Sequence, residues 1–319
     1  MGSWQGIGSW SWRCSPEAED ELLTDRFPRG LRYMAAGAFF FAAMSALVKL
    51  AGVGLPTMEV VLARSVVVLT ISWISLRQAG VSPRGDRQGL LLLRGILGFV
   101  ALSSFYFAVI HLPLADATVI QYTNPVFTAV LAALVIGEGL RKRELTLALL
   151  SLVGVVVMVR PALLFGGVSA LPAIPAAVAL VGALFSAAAY VTVRFLGRSG
   201  AGGVGQGEHP LVIVFWFALI STVGSLPFAV PVFVMPSGWE WLVLLGVGVS
   251  THLGQLFLTM GLRDERAGRA MAVAYLQIVF AALWGLVFFA EIPDLWTAAG
   301  AGIIVVATWL VGQGGRRPN

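Results

Sequence analysis

The sequence is poor in charged residues and has a single cysteine. Charged residues make up 12% of its 319 residues, whereas soluble domains contain about 25%. Together with a hydrophobic content of 58% and a mean hydropathy of +0.88, this scarcity indicates an integral membrane protein. Because Cys14 stands alone, it cannot form an intrachain disulfide, and no cysteine and histidine cluster has the spacing of a metal site. We therefore expect neither a metal nor a cofactor.

Further absences narrow the function classes. Residues 1–30 contain no apolar core of signal-peptide length, so nothing suggests a cleaved signal peptide. The lack of a Walker motif argues against ATP-driven transport by this chain alone. No aspartate or glutamate lies in the middle third of an apolar run, so efflux of cationic drugs, which usually needs such a carboxylate, is disfavoured. The net charge of +5 comes from short basic loops, and we expect no nucleic-acid partner.

Ten apolar runs are long enough to cross a bilayer, which takes roughly 20 residues. All of the 21 basic residues except Lys49, Arg64 and Arg160 lie at the two ends of the chain or in or beside alternate connections between these runs. Lysine and arginine collect on the cytoplasmic side. The pattern therefore predicts a multi-pass protein of the cell (plasma or inner) membrane, with both termini in the cytoplasm. The predicted spans are 31–51, 56–76, 89–110, 115–137, 144–160, 174–197, 210–230, 239–261, 268–290 and 295–313.

The connections between the spans also contain a glycine-rich run. Gly200 to Gly205 formally match the G-x-G-x-x-G fingerprint, but they lie between two spans instead of following a strand, so we interpret them as a flexible linker. We interpret the N-terminal tail as disordered; the alternative is that it lies on the membrane surface through its tryptophans. The expected domains are a disordered cytoplasmic tail (1–30), a first five-helix repeat (31–161), a linker (162–173), a second five-helix repeat (174–313) and a cytoplasmic tail (314–319).

The two halves of the chain repeat one pattern at an offset of 153 residues. At this offset Tyr122 aligns with Tyr275, and Glu138 aligns with Glu291. Because each half has five spans, an odd number, the second half enters the membrane from the opposite face. Inverted repeats place substrate sites near the bilayer midplane, at the interface between the repeats. The predicted fold is an all-α integral membrane protein whose ten helices form two inverted five-helix repeats around a central cavity.

Several short motifs make the chain recognisable across residues 31–313. It resembles the drug/metabolite transporter superfamily, specifically the EamA-type ten-helix carriers. The resemblance implies alternating access by two inverted halves around a central cavity, with the fifth and tenth helices at the periphery. A homodimer through these peripheral helices is an expectation that follows from it. The motifs are Phe105-Tyr106-Phe107-Ala108, Leu112-Pro113-Leu114-Ala115-Asp116-Ala117, Asn124-Pro125-Val126-Phe127 and Gly137-Glu138.

A polar run ending in a proline, Gln121 to Pro125, interrupts the fourth span. Pro125 cannot donate a backbone hydrogen bond, and its ring crowds the carbonyl of Gln121. A carbonyl released at membrane depth is tolerated only where protein or a water-filled cavity can satisfy it. The ninth span repeats the polar patch at Tyr275 to Gln277 without a proline. Span four is therefore predicted to be a kinked wall of the cavity, and span nine a straighter one.

The remaining candidates are polar or aromatic side chains within the spans. Each is interpreted as lining the substrate cavity, with hydrogen bonding between helices as the alternative. The substrate-binding candidates are Arg64, Tyr106, Gln121, Asn124, Tyr190, His252, Gln255, Tyr275, Gln277 and Trp284. A second group, interpreted as gating or structural, comprises Lys49, Glu59, Pro125, Glu138 and Glu291.

Arg64 is the charge that most constrains the function. It lies about 12 Å along its span from Pro56, and a central arginine costs roughly 2.5–3.5 kcal/mol, so it needs compensation. The compensation is a carboxylate or phosphate of the substrate, an ion pair with Glu59, or carbonyls released by Pro125. Arg94, by contrast, is assigned to the basic connection between spans two and three.

These observations favour a secondary carrier for a small organic metabolite. An anionic, zwitterionic or aromatic substrate is expected, such as an amino acid, a carboxylate or a compound like S-adenosylmethionine. The alternatives are a membrane-embedded enzyme and a structural or receptor-like membrane protein. An enzyme would need a convergent acid, base or metal cluster, and His111, His209 and His252 are too scattered to form one. No catalytic residue is expected.

Overall fold

The computed structural model describes residues 28–51, 55–139, 141–165, 171–198 and 207–313. The glycine-rich run 200–205, most of the predicted N-terminal tail and the tail 314–319 lie outside these residues. All regular structure in the described part is helical, which confirms the predicted all-α class. The α-helices are α1 (Arg29–Ala51), α2 (Thr57–Gln78), α3 (Gln88–His111), α4 (Leu114–Gln121), α5 (Asn124–Val135), α6 (Lys142–Val159), α7 (Ala162–Phe165), α8 (Ala173–Gly197), α9 (Pro210–Ala229), α10 (Gly238–Asp264), α11 (Ala267–Ala274), α12 (Leu276–Phe289) and α13 (Leu295–Gln313).

Ten spans are built from these helices. Span four consists of α4 and α5, and span nine of α11 and α12, whereas each of the other spans is one helix. Nine spans in the described residues are long and apolar enough to cross a membrane. The tenth, span five, is α6, whose 18 residues begin with Lys142, Arg143 and Glu144. These three charges at its first turn lower its mean hydropathy without changing its apolar remainder.

The spans pack in pairs that join the two halves of the chain. Span one packs on span eight, and span three packs on span six. Spans two and seven form a third pair, and spans five and ten form a fourth. When each span is replaced by its equivalent in the other repeat, five spans away, the same four pairs result. The packing is therefore that of two five-helix repeats related by a pseudo-two-fold axis.

The pairing of spans five and ten brings α6 and α13 together at two glycines. A Cβ atom on Gly300 would lie 2.5 Å from the carbonyl oxygen of Gly154, and one on Gly154 would lie 2.9 Å from that of Gly300. Real side chains do not approach backbone oxygen atoms so closely. The absence of a side chain at both positions lets the backbones of spans five and ten touch.

The two ends of the bundle differ in charge. One end, called the arginine-rich end below, carries Arg77, Arg194 and Arg263 at the last turns of α2, α8 and α10. The other, called the opposite end, carries Lys49 at the last turn of α1 and Arg160 after α6. This distribution follows the alternation of basic connections in the sequence.

Both span four and span nine are broken near their middle. Span four leaves the helix at Tyr122 and Thr123, and span nine leaves it at the single residue Tyr275. Span nine is interrupted at one residue that keeps helical backbone angles, whereas span four is interrupted at two. An interruption of span nine was not predicted, because the proline was taken as the cause of a break, whereas Tyr275 lies at the position equivalent to Tyr122.

Candidate functional site

The two helix breaks contact each other. The Tyr275 hydroxyl donates a hydrogen bond of 2.9 Å to the backbone carbonyl oxygen of Tyr122. The two rings stack with centroids 6.0 Å apart and an interplanar angle of 24°. The Tyr122 carbonyl is available because Val126 N–H, its usual helical partner, bonds to Thr123 instead. The Tyr122 carbonyl, which follows the Gln121 carbonyl that Pro125 crowds, is therefore satisfied by the other repeat, and Tyr275 is fully buried in doing so.

Polar groups of span four face span six. The Asn124 side-chain amide donates to the hydroxyl oxygen of Ser186 at 3.3 Å, and both residues are buried. One helical turn before Asn124, the buried side-chain oxygen of Gln121 has no hydrogen-bond partner among the described residues. Tyr190, one turn after Ser186, is half-buried and lies within electrostatic range of Tyr122. Three of the predicted substrate-binding side chains, Gln121, Asn124 and Tyr190, therefore lie in one region.

Arg94 is a functional candidate that the sequence reasoning assigned to the wrong place. It lies in α3 about 9 Å along the helix from Gln88, is 2% exposed, and does not flank the connection. Its Nη2 donates to the side-chain oxygen of Gln255 at 3.3 Å, and its guanidinium lies 4.4 Å from the Phe217 ring centroid. Its Nε and Nη1 have no partner among the described residues. The sequence feature that could have identified Arg94 as a candidate was its position inside the predicted third span.

Arg64 is buried as well, at 6% exposure. Its Nη1 approaches the Met44 sulfur at 3.7 Å, and its Nε has no partner in the described part of the chain. The suggested ion pair with Glu59 is not formed: one Glu59 carboxylate oxygen accepts the Val234 N–H at 3.0 Å, and the other has no partner among the described residues. The suggested cap on carbonyls near Pro125 is not formed either, since the Met44 sulfur is the only hydrogen-bond partner of Arg64 in the described residues.

His252 lies in span eight, one turn before Gln255. Its Nδ1 is 3.2 Å from the hydroxyl oxygen of Ser72 in span two, and both side chains are buried. This contact fixes the register of span two against span eight.

Three further candidates lie in spans three and nine. The Trp284 ring centroid is 5.3 Å from that of Phe39 and 5.2 Å from that of Phe288. Its indole N–H is buried without a partner in the described residues. Tyr106 and Gln277 are half-buried, and neither side chain hydrogen bonds to another described residue. The structure does not bring these three side chains into contact with Arg64 or Arg94.

The predicted gating residues form two ion pairs, one at each end of the bundle. At the arginine-rich end, Glu138 pairs with Arg194 at 2.6 Å and accepts the Ala267 N–H at 2.9 Å. These two charged side chains are only 8% and 11% exposed. At the opposite end, Glu291 pairs with Lys49, and both side chains are more than half exposed. Each pair joins the last turn of a span in one repeat to the end of a span in the other.

A cavity of about 370 Å³ lies at the arginine-rich end, outside the region of the predicted site. Glu208 lines it and accepts the backbone N–H groups of Asp86 and Arg87 at 2.7 and 2.6 Å. His209, which also lines it, caps α9 by accepting the Leu211 N–H. Burial and, to a smaller extent, Arg263 lower the pKa of His209. Among the described residues, no group of three or more histidine, cysteine, aspartate or glutamate side chains could hold a metal ion.

Two inverted helical repeats, broken helices at their interface and buried polar side chains between them define a membrane transporter. The sequence model of the EamA-like transporter family matches residues 28–160 and again residues 173–313. The chain belongs to the EamA-like transporter family. The predicted resemblance, the ten-helix arrangement in inverted repeats and the function as a membrane transporter for a small molecule are confirmed.

Relatives across bacteria and mammals are transporters. The pseudopaline exporter CntI of Pseudomonas aeruginosa is 34% identical over 90% of this chain and 96% of its own length. Solute carrier family 35 member G1 of Homo sapiens is 30% identical over 92% of this chain and 81% of its own length. An S-adenosylmethionine uptake transporter of Rickettsia prowazekii is 27% identical over 69% of this chain and 70% of its own length. A crystal structure with 20% identity superposes with a TM-score of 0.74 over 86% of this chain and 93% of the other, which shows a common fold.

Proposed function

We propose that this chain is a secondary carrier for a small organic metabolite that bears a carboxylate, either an anion or a zwitterion such as an amino acid. The observation that carries the proposal is the buried guanidinium of Arg94. Two of its nitrogen atoms, Nε and Nη1, have no partner among the described residues. A buried charge is costly unless it is paired and hydrogen bonded. A substrate carboxylate supplies both the negative charge and the two acceptors that a guanidinium recognises.

The surroundings of Arg94 support a carboxylate rather than a metal or a cation as its ligand. Gln255 contributes an amide beside the guanidinium, and Phe217 provides an apolar wall under it. Such a site has donors for the substrate and excludes water, which strengthens the interaction. A zwitterion adds an ammonium group, for which the side-chain oxygen of Gln121 is a free acceptor in the described residues.

Transport, rather than catalysis, is the activity that this site supports. A transport site needs groups that bind and release the substrate, whereas an enzyme needs a convergent acid, base or metal. The named relatives include an exporter and an uptake transporter, and we extend only the class of small metabolite to this chain. We further propose that the arginine-rich end faces the cytoplasm, because lysine and arginine accumulate there in membrane proteins.

A binding screen followed by transport tests the proposal. Purified protein is screened by thermal shift against amino acids, dicarboxylates, nucleosides and S-adenosylmethionine, and the best carboxylate is then assayed for uptake in proteoliposomes. Arg94→Gln should weaken its binding by about 10- to 150-fold, the value of a charge-assisted hydrogen bond. Arg94→Lys should restore part of it.

The matched control is Arg77→Gln. Arg77 is an exposed cation at the end of α2 that stacks on the Trp73 ring at 4.7 Å, so its loss should leave binding and uptake unchanged. Stabilisation by nucleosides alone, or equal binding by wild type and Arg94→Gln, would refute a carboxylate substrate.

A further inference from the structure

Arg64 and Arg94, the two buried arginines without a carboxylate partner among the described residues, lie at different depths in the membrane. Span two begins at the opposite end, and Arg64 lies about 10 Å along α2 from Thr57. Span three begins at the arginine-rich end, and Arg94 lies about 9 Å along α3 from Gln88. A helix of 22 residues such as α2 is about 33 Å long. The backbone positions of the two arginines are therefore separated by about 14 Å along the bundle.

An independent route through span eight gives a similar separation. Ser72 and His252 are in contact at 3.2 Å, so they lie at the same depth. Arg64 lies eight residues before Ser72, about 12 Å toward the opposite end. Gln255, the partner of Arg94, lies three residues after His252, about 4.5 Å toward the arginine-rich end. The sum is about 16 Å, so one arginine lies in each half of the bilayer.

Both arginines retain donor capacity that the described residues do not use. Arg64 has the Met44 sulfur as its hydrogen-bond acceptor and an unpartnered Nε. Arg94 has one amide acceptor and two unpartnered nitrogen atoms. Neither has a carboxylate partner among the described residues. A single substrate anion cannot compensate both at once at this separation unless it is as long as the gap.

We propose that Arg64 and Arg94 are successive anchors for the same anionic group of the substrate. Arg64 holds the group when the opposite end is open, and Arg94 holds it when the arginine-rich end is open. The inference rests on the proposed carboxylate substrate and adds the order in which the two charges act. It explains why the chain keeps two costly buried cations in different halves of the membrane rather than a clustered pair.

Cysteine labelling tests the two positions without knowledge of the substrate. The chain has one native cysteine, so Cys14→Ser provides a cysteine-free background. Met44→Cys reports on the surroundings of Arg64, and Gln255→Cys reports on those of Arg94, with both arginines intact. The probe is 2-sulfonatoethyl methanethiosulfonate, a membrane-impermeant anion, applied separately to each face of oriented vesicles. Thr57→Cys and Ser82→Cys, at exposed positions of opposite ends, establish which face is which.

The expected result is opposite sidedness. Met44→Cys should react about tenfold or more faster from the face that labels Thr57→Cys, and Gln255→Cys by the same factor from the face that labels Ser82→Cys. Reaction of both from one face would overturn the proposal. Failure of both to react in folded, monodisperse protein would also overturn it, because the arginines would then be out of reach of any anion.

A second measurement separates an anion anchor from simple access. The rate of the anionic reagent is divided by that of its trimethylammonium analogue. Arg64→Gln should lower this ratio about tenfold at Met44→Cys and leave it unchanged at Gln255→Cys, and Arg94→Gln should do the converse. Unchanged ratios in both variants would overturn the role of the arginines. The binding screen tests the carboxylate substrate, whereas the labelling experiments test the two anchors, so each proposal can fail without the other.

Discussion

The hydroxyl of Tyr275 donates a hydrogen bond to the backbone carbonyl of Tyr122, and these two residues are 153 positions apart. The same offset relates Glu138 to Glu291. Residues that are equivalent under a two-fold axis and also contact each other must lie beside that axis. The breaks in spans four and nine therefore meet at the centre of the molecule.

Removal of the central hydrogen bond should destabilise the protein moderately. Tyr275→Phe keeps the ring stacked on Tyr122 but leaves the carbonyl of Tyr122 without its donor. Hydrogen bonds between membrane helices contribute about 0.6 kcal/mol on average and up to about 1.7 kcal/mol. Because Tyr275 is fully buried, we expect a loss in the upper half of that range, measured as thermal unfolding in detergent. Tyr33→Phe, whose ring stacks on Phe257, is the control and should change little.

The ion pairs at the two ends should differ in strength. Glu138→Gln breaks a buried pair, for which the loss is about 3 kcal/mol or more. Glu291→Gln breaks its exposed counterpart, for which about 0–1 kcal/mol is expected. Unfolding of the two variants in the same detergent provides the comparison. Equal losses would contradict the difference in burial as the cause.

The close packing of spans five and ten gives a sharp steric prediction. Gly300→Ala places a methyl group against the carbonyl oxygen of Gly154 and should cost about 1–3 kcal/mol through overpacking. Gly302→Ala is the matched control in the same helix, since nothing lies within 4 Å of its added methyl group. Alanine there should be neutral or stabilising by up to about 1 kcal/mol. The melting temperatures of Gly300→Ala and Gly302→Ala test this prediction. Equal shifts in the two variants would exclude steric contact at Gly300.

His209 should make the protein less stable in acid. Its pKa in the folded protein is lowered from 6.5, chiefly by burial, so the unfolded chain binds a proton first as the pH falls. The stability that neutral His209 contributes is therefore present above pH 6.5 and is lost below it. Protonation also removes the Nδ1 acceptor that caps α9. His209→Asn keeps a capping acceptor without titrating, so its melting temperature should fall less than that of the wild type between pH 7.5 and pH 5.5.

Hydropathy was sufficient to predict the spans. Each span is a long apolar run, and the alternation of basic connections predicts the arginine-rich end of the bundle. Span five shows the limit of this reasoning, because Lys142, Arg143 and Glu144 at its start weaken its apolar signal. The repeat was also predictable, since Tyr122 and Tyr275 mark equivalent positions in two halves that the packing relates by a two-fold axis.

The contacts of individual side chains were not predictable in the same way. Arg94 was read as part of a basic connection because hydropathy records the end of a span only to within a few residues. Its burial depends on Gln255 and Phe217, which are far away in sequence. Similarly, the break at Tyr275 arises at a contact with the other repeat, and no local signal such as proline announces it.

The unequal burial of the two ion pairs makes the ends of the carrier respond differently to salt. Dissolved ions screen exposed charges over about 8 Å at physiological ionic strength and about 3 Å at 1 M, whereas buried pairs are screened much less. Lys49 and Glu291 are 54% and 58% exposed, so we expect rising salt to weaken the pair at the opposite end more than the buried pair at the arginine-rich end. We therefore predict that ionic strength shifts which face of the empty carrier is open.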